Sequence, residues 1–125
     1  MPQKAVRILI ADDDREMRNL LAIALRNIEG IEIVTAADGV EALEALKKEN
    51  FDLVVCDWFM PHMKGIQLLC IMRAEKQWKK IPFIMVTAEA TPSDITEAVK
   101  AGCDDYILKP FPLSLLQERV RKLLR

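Results

Sequence analysis

The 125-residue chain carries 18 Lys and Arg against 19 Asp and Glu, a formal net charge of -1, with 51% of its residues apolar. That balance offers no basic face for nucleic acid or for an anionic membrane, and the apolar runs fall well short of the roughly 20 residues a membrane span requires. One histidine, and three cysteines without C-x-x-C spacing, leave too few ligands for structural zinc or for the familiar histidine-based hydrolases.

Cys56, Cys70 and Cys103 stand in apolar surroundings and read as buried reduced thiols, and the N-terminus has no signal-like apolar segment, so a cytoplasmic protein is expected. The length suits one domain over 1–125, with no internal linker, repeat or low-complexity tract.

The elements alternate regularly. Val6 to Ala11 predicts a strand that runs into Asp12, Asp13 and Asp14, and from Glu16 a helical stripe of Met17, Leu20, Leu21, Ala24, Leu25 and Ile28 continues to a stop at Gly30. Ile31 to Ala36 is a second strand. Asp38 then caps a helix lined by Val40, Leu43 and Leu46, with Glu41 in capping-box register, which runs to Asn50. Leu53 to Cys56 is a continuous apolar run expected of a strand buried on both faces, and it ends on Asp57.

After the Pro61 to Gly65 loop, Ile66, Leu69 and Met72 mark a third helix, and Lys76 to Lys80 reads as a polar connection with Trp78 at a surface or edge. Ile81 to Val86 predicts a fourth strand that ends at Thr87. Thr91-Pro92-Ser93-Asp94 has the residue types of a helix start, and Ile95, Ala98 and Val99 carry that helix to Gly102. Asp105 to Leu108 is a fifth strand ending at Lys109-Pro110, and a last helix from Pro112 places Leu116, Val120 and Leu123 on one side.

Five βα units in strict alternation imply an α/β fold with a doubly wound, five-stranded parallel sheet and helices on both faces. The flavodoxin-like strand order 2-1-3-4-5 suits this number of strands, and its switch point between strands one and three would gather Asp12, Asp13 and Asp57 in one crevice.

Four of the five strands therefore end in groups suited to phosphoryl chemistry. Clustered carboxylates repel one another without a cation, and hard oxygen donors favour Mg²⁺ or Mn²⁺. Asp57, ionised at neutral pH, has the chemistry of a nucleophile toward phosphorus, with the Lys109 ammonium and the Thr87 hydroxyl placed to stabilise charge on the transferring group. Each residue alone also has an ordinary reading. Asp13 or Asp14 suits a helix cap, Thr87 a strand position and Lys109 a solvated surface; the conjunction is what points to chemistry. His62 needs no part in it and reads as a loop histidine, while Trp58 stands beside the site without chemistry of its own.

Asp12-Asp13, Asp57, Met60-Pro61, Gly65, Thr87-Ala88, Gly102 and Lys109-Pro110 fall in the order and spacing of a known family. The chain resembles the receiver domains of two-component response regulators from Ile8 to the last helix. Asp57-Trp58-x-Met60-Pro61, Val86 to Ala90 and Tyr106 are most similar to the single-domain chemotaxis members.

The resemblance implies a signalling switch, not an enzyme in the ordinary sense, in which Asp57 accepts phosphate from a histidine kinase or phosphotransfer protein. It makes Asp13 and Asp57 direct metal ligands, with Asp12 acting through water and the Phe59 backbone carbonyl completing the set. Thr87 and Lys109 would contact the phosphoryl oxygens, small Ala88 would keep the approach open, and Lys109-Pro110 would be cis.

Phe59 and Glu89 would flank the path of hydrolytic water, and Phe59 departs from the asparagine common in the chemotaxis subgroup, as Asp14 departs by adding an acid. Thr87 and Tyr106 would act as the switch pair. The fourth helix, fifth strand and fifth helix would present Ala90, Lys100, Tyr106, Arg119 and Lys122 to a downstream protein target. No direct contact with nucleic acid or membrane is expected, and the chain would be a monomer or a weak phosphorylation-dependent dimer.

A stand-alone regulator is the first reading, favoured by a chain that ends with the last helix. A receiver joined to a DNA-binding or enzymatic output domain is its alternative. A Mg-dependent phosphohydrolase using Asp12-x-Asp14 is a more distant rival, because Glu16 stands where that chemistry expects a hydroxyl residue and no cap segment is present. A flavin carrier is disfavoured by the all-acidic loop after the first strand, which would repel a phosphate.

Overall fold

Strands that alternate with amphipathic helices lie parallel, because every crossover returns the chain to the same edge of the sheet. The computed structural model describes residues 5–88 and 91–124 and has this arrangement. Strands β1 (Val6–Ala11), β2 (Ile31–Ala36), β3 (Leu53–Cys56), β4 (Phe83–Thr87) and β5 (Asp105–Leu108) are followed in turn by helices α1 (Arg15–Arg26), α2 (Gly39–Lys48), α3 (Gly65–Ala74), α4 (Pro92–Ala101) and α5 (Leu113–Leu123). The sheet has the expected order β2-β1-β3-β4-β5, and all four pairings are parallel.

Side chains of a strand alternate between faces, and the inner strands build two cores from successive residues. Leu9, Ala11, Val54, Cys56, Phe83 and Met85 meet residues of α2, α3 and α4, including Ala42, Leu46, Leu69, Met72 and Ala98. Ile8, Ile10, Leu53, Val55, Ile84, Val86 and Ile107 meet Leu21, Ala22 and Leu25 of α1 and Leu116 and Val120 of α5. Both faces of β3 are closed to solvent, which is why its sequence reads as an unbroken apolar run.

Several local expectations are corrected. Helix α1 ends at Arg26 with Asn27 as its cap, not at Gly30; the Ile28 amide takes the Leu25 carbonyl at 3.1 Å in a tightened last turn. Gly30 instead adopts φ 83, a left-handed turn that leads into β2. Helix α2 stops at Lys48, before Asn50. Strand β4 begins at Phe83, because Pro82 has no amide to give the ladder and the Phe83 amide is taken by Asp104 Oδ2 at 2.8 Å.

Leu20, Val40 and Val99 were expected on apolar stripes and are exposed. Their helices press on the sheet through a narrower arc in which small residues, Ala22, Ala42 and Ala98, are buried. Asp38 caps α2 by accepting the Glu41 amide at 2.8 Å, but Glu41 reaches back to the Ala37 amide at 3.3 Å, so the reciprocal bond is shifted by one residue.

Trp78 is not a surface aromatic; it is only 8% exposed and belongs to the core beneath α3. Of the three cysteines only Cys56 is buried, while Cys103 is half-buried and Cys70 faces outward on α3. Among the described residues, no helix is long and apolar enough to cross a membrane.

Candidate functional site

A parallel sheet brings the C-terminal ends of its strands to one edge, and the polar groups predicted for that edge are found there. The Asp57 amide donates to the Ala11 carbonyl at 2.9 Å, which locks the end of β3 beside the end of β1. Asp12, 1% exposed, and Asp57 then face a common cation. Lys109 Nζ donates to Asp12 Oδ2 at 2.8 Å and to Asp57 Oδ2 at 3.0 Å.

Each acid is oriented further by the backbone. Asp12 Oδ1 accepts the Asp14 amide at 2.9 Å, and Asp57 Oδ1 accepts the Trp58 amide at 2.7 Å. The Asp14 side chain caps α1, accepting the Glu16 amide at 3.0 Å, so the third acid of the run serves the helix and not the crevice. Asp13 is exposed and completes a trio with Asp12 and Asp57 in which one carboxylate oxygen of each lies within 4.8 Å of the others.

Three carboxylates against one ammonium leave this crevice with excess negative charge. Burial is the main force on Asp12 and raises its carboxyl above the ordinary range, while the bonds from Lys109 and the Asp14 amide work downward and the Asp57 charge works upward. Burial alone would lower the Lys109 ammonium, but its bonds to Asp12 and Asp57 outweigh that and hold it above the ordinary lysine range. Hard oxygens, clustered and under-neutralised, fit a divalent ion such as Mg²⁺.

Strands β4 and β5 supply the remaining groups. The Lys109 amide donates to the Thr87 carbonyl at 2.9 Å, which ties the two strand ends together, and Lys109-Pro110 is cis. Thr87 is buried in register with Leu108, and Tyr106, two positions earlier, is half-buried in register with Met85. Strand periodicity puts Thr87 and Tyr106 on the same face of the sheet, the one Met85 shares with α2, α3 and α4.

The loop after Asp57 carries Phe59, 46% exposed, with Lys64 Nζ 5.4 Å from its ring centre and the Trp58 ring centre 6.4 Å away. Gly65 returns the chain to the site. Its amide donates to the Trp58 carbonyl at 2.8 Å, and an added Cβ would lie 2.0 Å from the Asp57 carbonyl oxygen, a contact no side chain can make.

On the predicted output face, Lys100 and Lys122 are exposed, whereas Arg119 is half-buried and bound to Asp105 at 2.5 Å, so its guanidinium links α5 to β5. Glu89 and Ala90 lie outside the described residues.

Two contributors escaped the sequence. Arg18 Nη1 donates to the Asp12 carbonyl at 2.8 Å, and its place on the first turn of α1 was the only available signal. His62 Nδ1 lies 2.8 Å from Asp38 Oδ2, joining two loops that nothing in the local pattern relates.

A model of the response regulator receiver domain matches residues 8–121. Chemotaxis protein CheY-3 of Vibrio cholerae is 44% identical over 120 residues, covering 96% of this chain and 92% of that protein. Chemotaxis protein CheY of Pseudomonas aeruginosa is 42% identical, covering 94% and 95%. The crystal structure of Vibrio cholerae chemotaxis protein CheY4 superposes with a TM-score of 0.89 at 32% identity, covering 96% of this chain and 99% of that one.

Proposed function

The chain belongs to the response regulator receiver domain family of two-component signalling, and from that premise we propose that it is a phosphorylation-dependent switch with Asp57 as phosphoacceptor. The observation that carries the reading is the double hold of Lys109 on Asp12 and Asp57 at the mouth of a three-carboxylate crevice.

In this reading an Asp57 carboxylate oxygen attacks the phosphorus of a phosphohistidine on a kinase or phosphotransfer protein. The phosphorus to nitrogen bond breaks, its electron pair leaves with the imidazole, which takes up a proton, and an acyl phosphate remains. Water later attacks the same phosphorus, releasing phosphate and restoring the carboxylate. The Trp58 amide fixes the orientation of Asp57, and Lys109 follows the negative charge from the carboxylates to a phosphoryl oxygen, as does the Thr87 hydroxyl.

Asp12, Asp13, Asp57 and the backbone carbonyl of Phe59 would hold the divalent ion, which when bound supplies positive charge to offset that of the phosphoryl oxygens. Phosphorylation adds roughly two negative charges beside Thr87 and shifts a conformational equilibrium that Tyr106, on the same sheet face, transmits to the surface of α4, β5 and α5. By analogy with the CheY relatives, the partner there is a downstream protein of a chemotaxis-like pathway, with Lys100, Arg119 and Lys122 among the contacts.

Phe59 and Glu89 would tune the lifetime of the acyl phosphate. The exposed Phe59 ring, held by Lys64, obstructs water, so Phe59→Asn is expected to accelerate dephosphorylation, read as acyl-phosphate decay in the purified protein. Equal or slower decay in the variant refutes that role.

Intact mass after incubation with acetyl phosphate tests the main reading. One added phosphoryl group that requires Mg²⁺ and is absent from Asp57→Asn is the expected result. A folded, Mg²⁺-binding wild type that gains no mass refutes direct phosphotransfer from a small donor and turns the search to a kinase.

A further inference from the structure

The loop between β3 and α3 is fastened at two points. At its base the Gly65 amide holds the Trp58 carbonyl at 2.8 Å. At its tip His62 Nδ1 meets Asp38 Oδ2 at 2.8 Å, although the ring itself is 70% exposed. Phe59 lies between the two fastenings.

Asp38 is well suited to be the fixed half of this contact. It is buried as the N-cap of α2, its Oδ1 is occupied by the Glu41 amide, and that bond first, with the His62 bond second, holds its carboxyl below the ordinary range. The adjoining turn of α2 presses on the same loop, since a Cβ on Gly39 would sit 2.6 Å from the Met63 carbonyl oxygen.

The backbone of His62 is also unusual. At φ 69 it is the one non-glycine residue in the left-handed region among the described residues, and the Met63 amide closes a tight turn over it onto the Pro61 carbonyl at 2.7 Å. A conformation of this kind persists only where its surroundings hold it. Here the bond to Asp38 is the one side-chain contact of His62 that helps to hold it, among the described residues.

We propose that His62 and Asp38 form a clasp that makes His62 a positioning residue for the Asp57 site, fixing the loop that carries the Phe59 carbonyl and ring. The inference rests on the reading of that site as a metal-assisted phosphoacceptor. His62 touches neither the acids nor the transferred group; it acts by holding the β3–α3 loop against α2.

Two variants separate the clasp from backbone strain. His62→Gly accepts the left-handed turn freely but has no side chain to hold Asp38. His62→Asn tolerates the same turn and can donate an amide N–H to Asp38.

With circular dichroism as the check on folding, Mg²⁺ titrations followed by tryptophan fluorescence are expected to show roughly 10-fold weaker binding in His62→Gly, the scale on which partners beyond the ligands affect metal affinity. Amide exchange over residues 59–63 is expected to quicken in the same variant without metal, and His62→Asn is expected to restore both readouts. Unchanged Mg²⁺ affinity and loop exchange in His62→Gly, beside a wild type that binds Mg²⁺, overturns the clasp alone. A wild type that binds no Mg²⁺ overturns the reading of the site and the positioning role with it.

Discussion

Asp12 shows how a single residue can be kept at a cost to the fold. Its carboxyl is raised chiefly by burial, so the folded chain binds its proton more readily than the unfolded one does. Between the ordinary carboxylate range and the raised value, stability therefore falls as pH rises, and at neutral pH without metal the buried charge is a burden. Asp12→Asn keeps an acceptor for the Asp14 amide and removes that charge. Urea unfolding at pH 7 in EDTA is expected to show the variant more stable than the wild type, with the gap narrowing as pH is lowered toward 4.

Asp38 has the opposite sign. Its carboxyl is lowered, so its contribution is present above the unfolded value of about 3.9 and is lost as pH falls through the folded value. Asp38→Ala is expected to cost about 1 kcal/mol at pH 7 through the lost cap, and the difference from wild type should shrink in unfolding measured at pH 3. The Asp38 cap was legible because its partner Glu41 is three residues away in sequence. The bond to His62 was not, because it spans 24 residues and depends on how two loops meet in space.

At the scale of elements, strands were easier to read than the inward arcs of helices. The continuous run of β3 left its burial unambiguous, whereas steps of three and four could not say which side of a stripe the sheet would cover. Leu20, Val40 and Val99 fit the spacing and face solvent, since Ala22, Ala42 and Ala98 allow their helices to approach the sheet closely. Trp78 is hard to place from sequence for a related reason: a connection crowded with lysines has no period, yet it folds its one aromatic side chain under α3.

The entry into α3 is the element junction with the least tolerance. Gly65 abuts the Asp57 carbonyl oxygen, and a methyl group there forces the backbone of Asp57, the proposed phosphoacceptor, to move. Gly65→Ala is expected to lose about 1–3 kcal/mol in urea unfolding, the usual cost of overpacking. Slower phosphorylation by acetyl phosphate is expected to accompany that loss, because the displaced atom belongs to Asp57.

For the whole molecule, topology decides where chemistry can sit. The order β2-β1-β3-β4-β5 sets the ends of β1 and β3 side by side, so acids separated by 45 positions share one ammonium. The opposite edge holds a cavity of about 550 Å³ lined by Leu46, Phe51, Ile71 and Trp78. Beside it, Arg7 binds Glu32 and Glu49 and lies over the Phe51 ring, a brace for the starts of the strands. This cavity is thus remote from the acids, which gather at the C-terminal ends of the strands.

Because the crevice concentrates carboxylates before any ion arrives, ion binding and global stability are linked. A ligand present at 100 times its dissociation constant stabilises the fold by about 2.7 kcal/mol. Thermal unfolding in Mg²⁺ at that excess, compared with EDTA, is expected to show a gain of this size for the wild type. Asp13 separates binding from folding, since it is exposed at the acid trio while Asp12 is buried. Asp13→Asn is expected to unfold with the wild type in EDTA and to lose most of the Mg²⁺-dependent gain. An undiminished gain in that variant would remove Asp13 from the ligand set and leave the ion to Asp12 and Asp57.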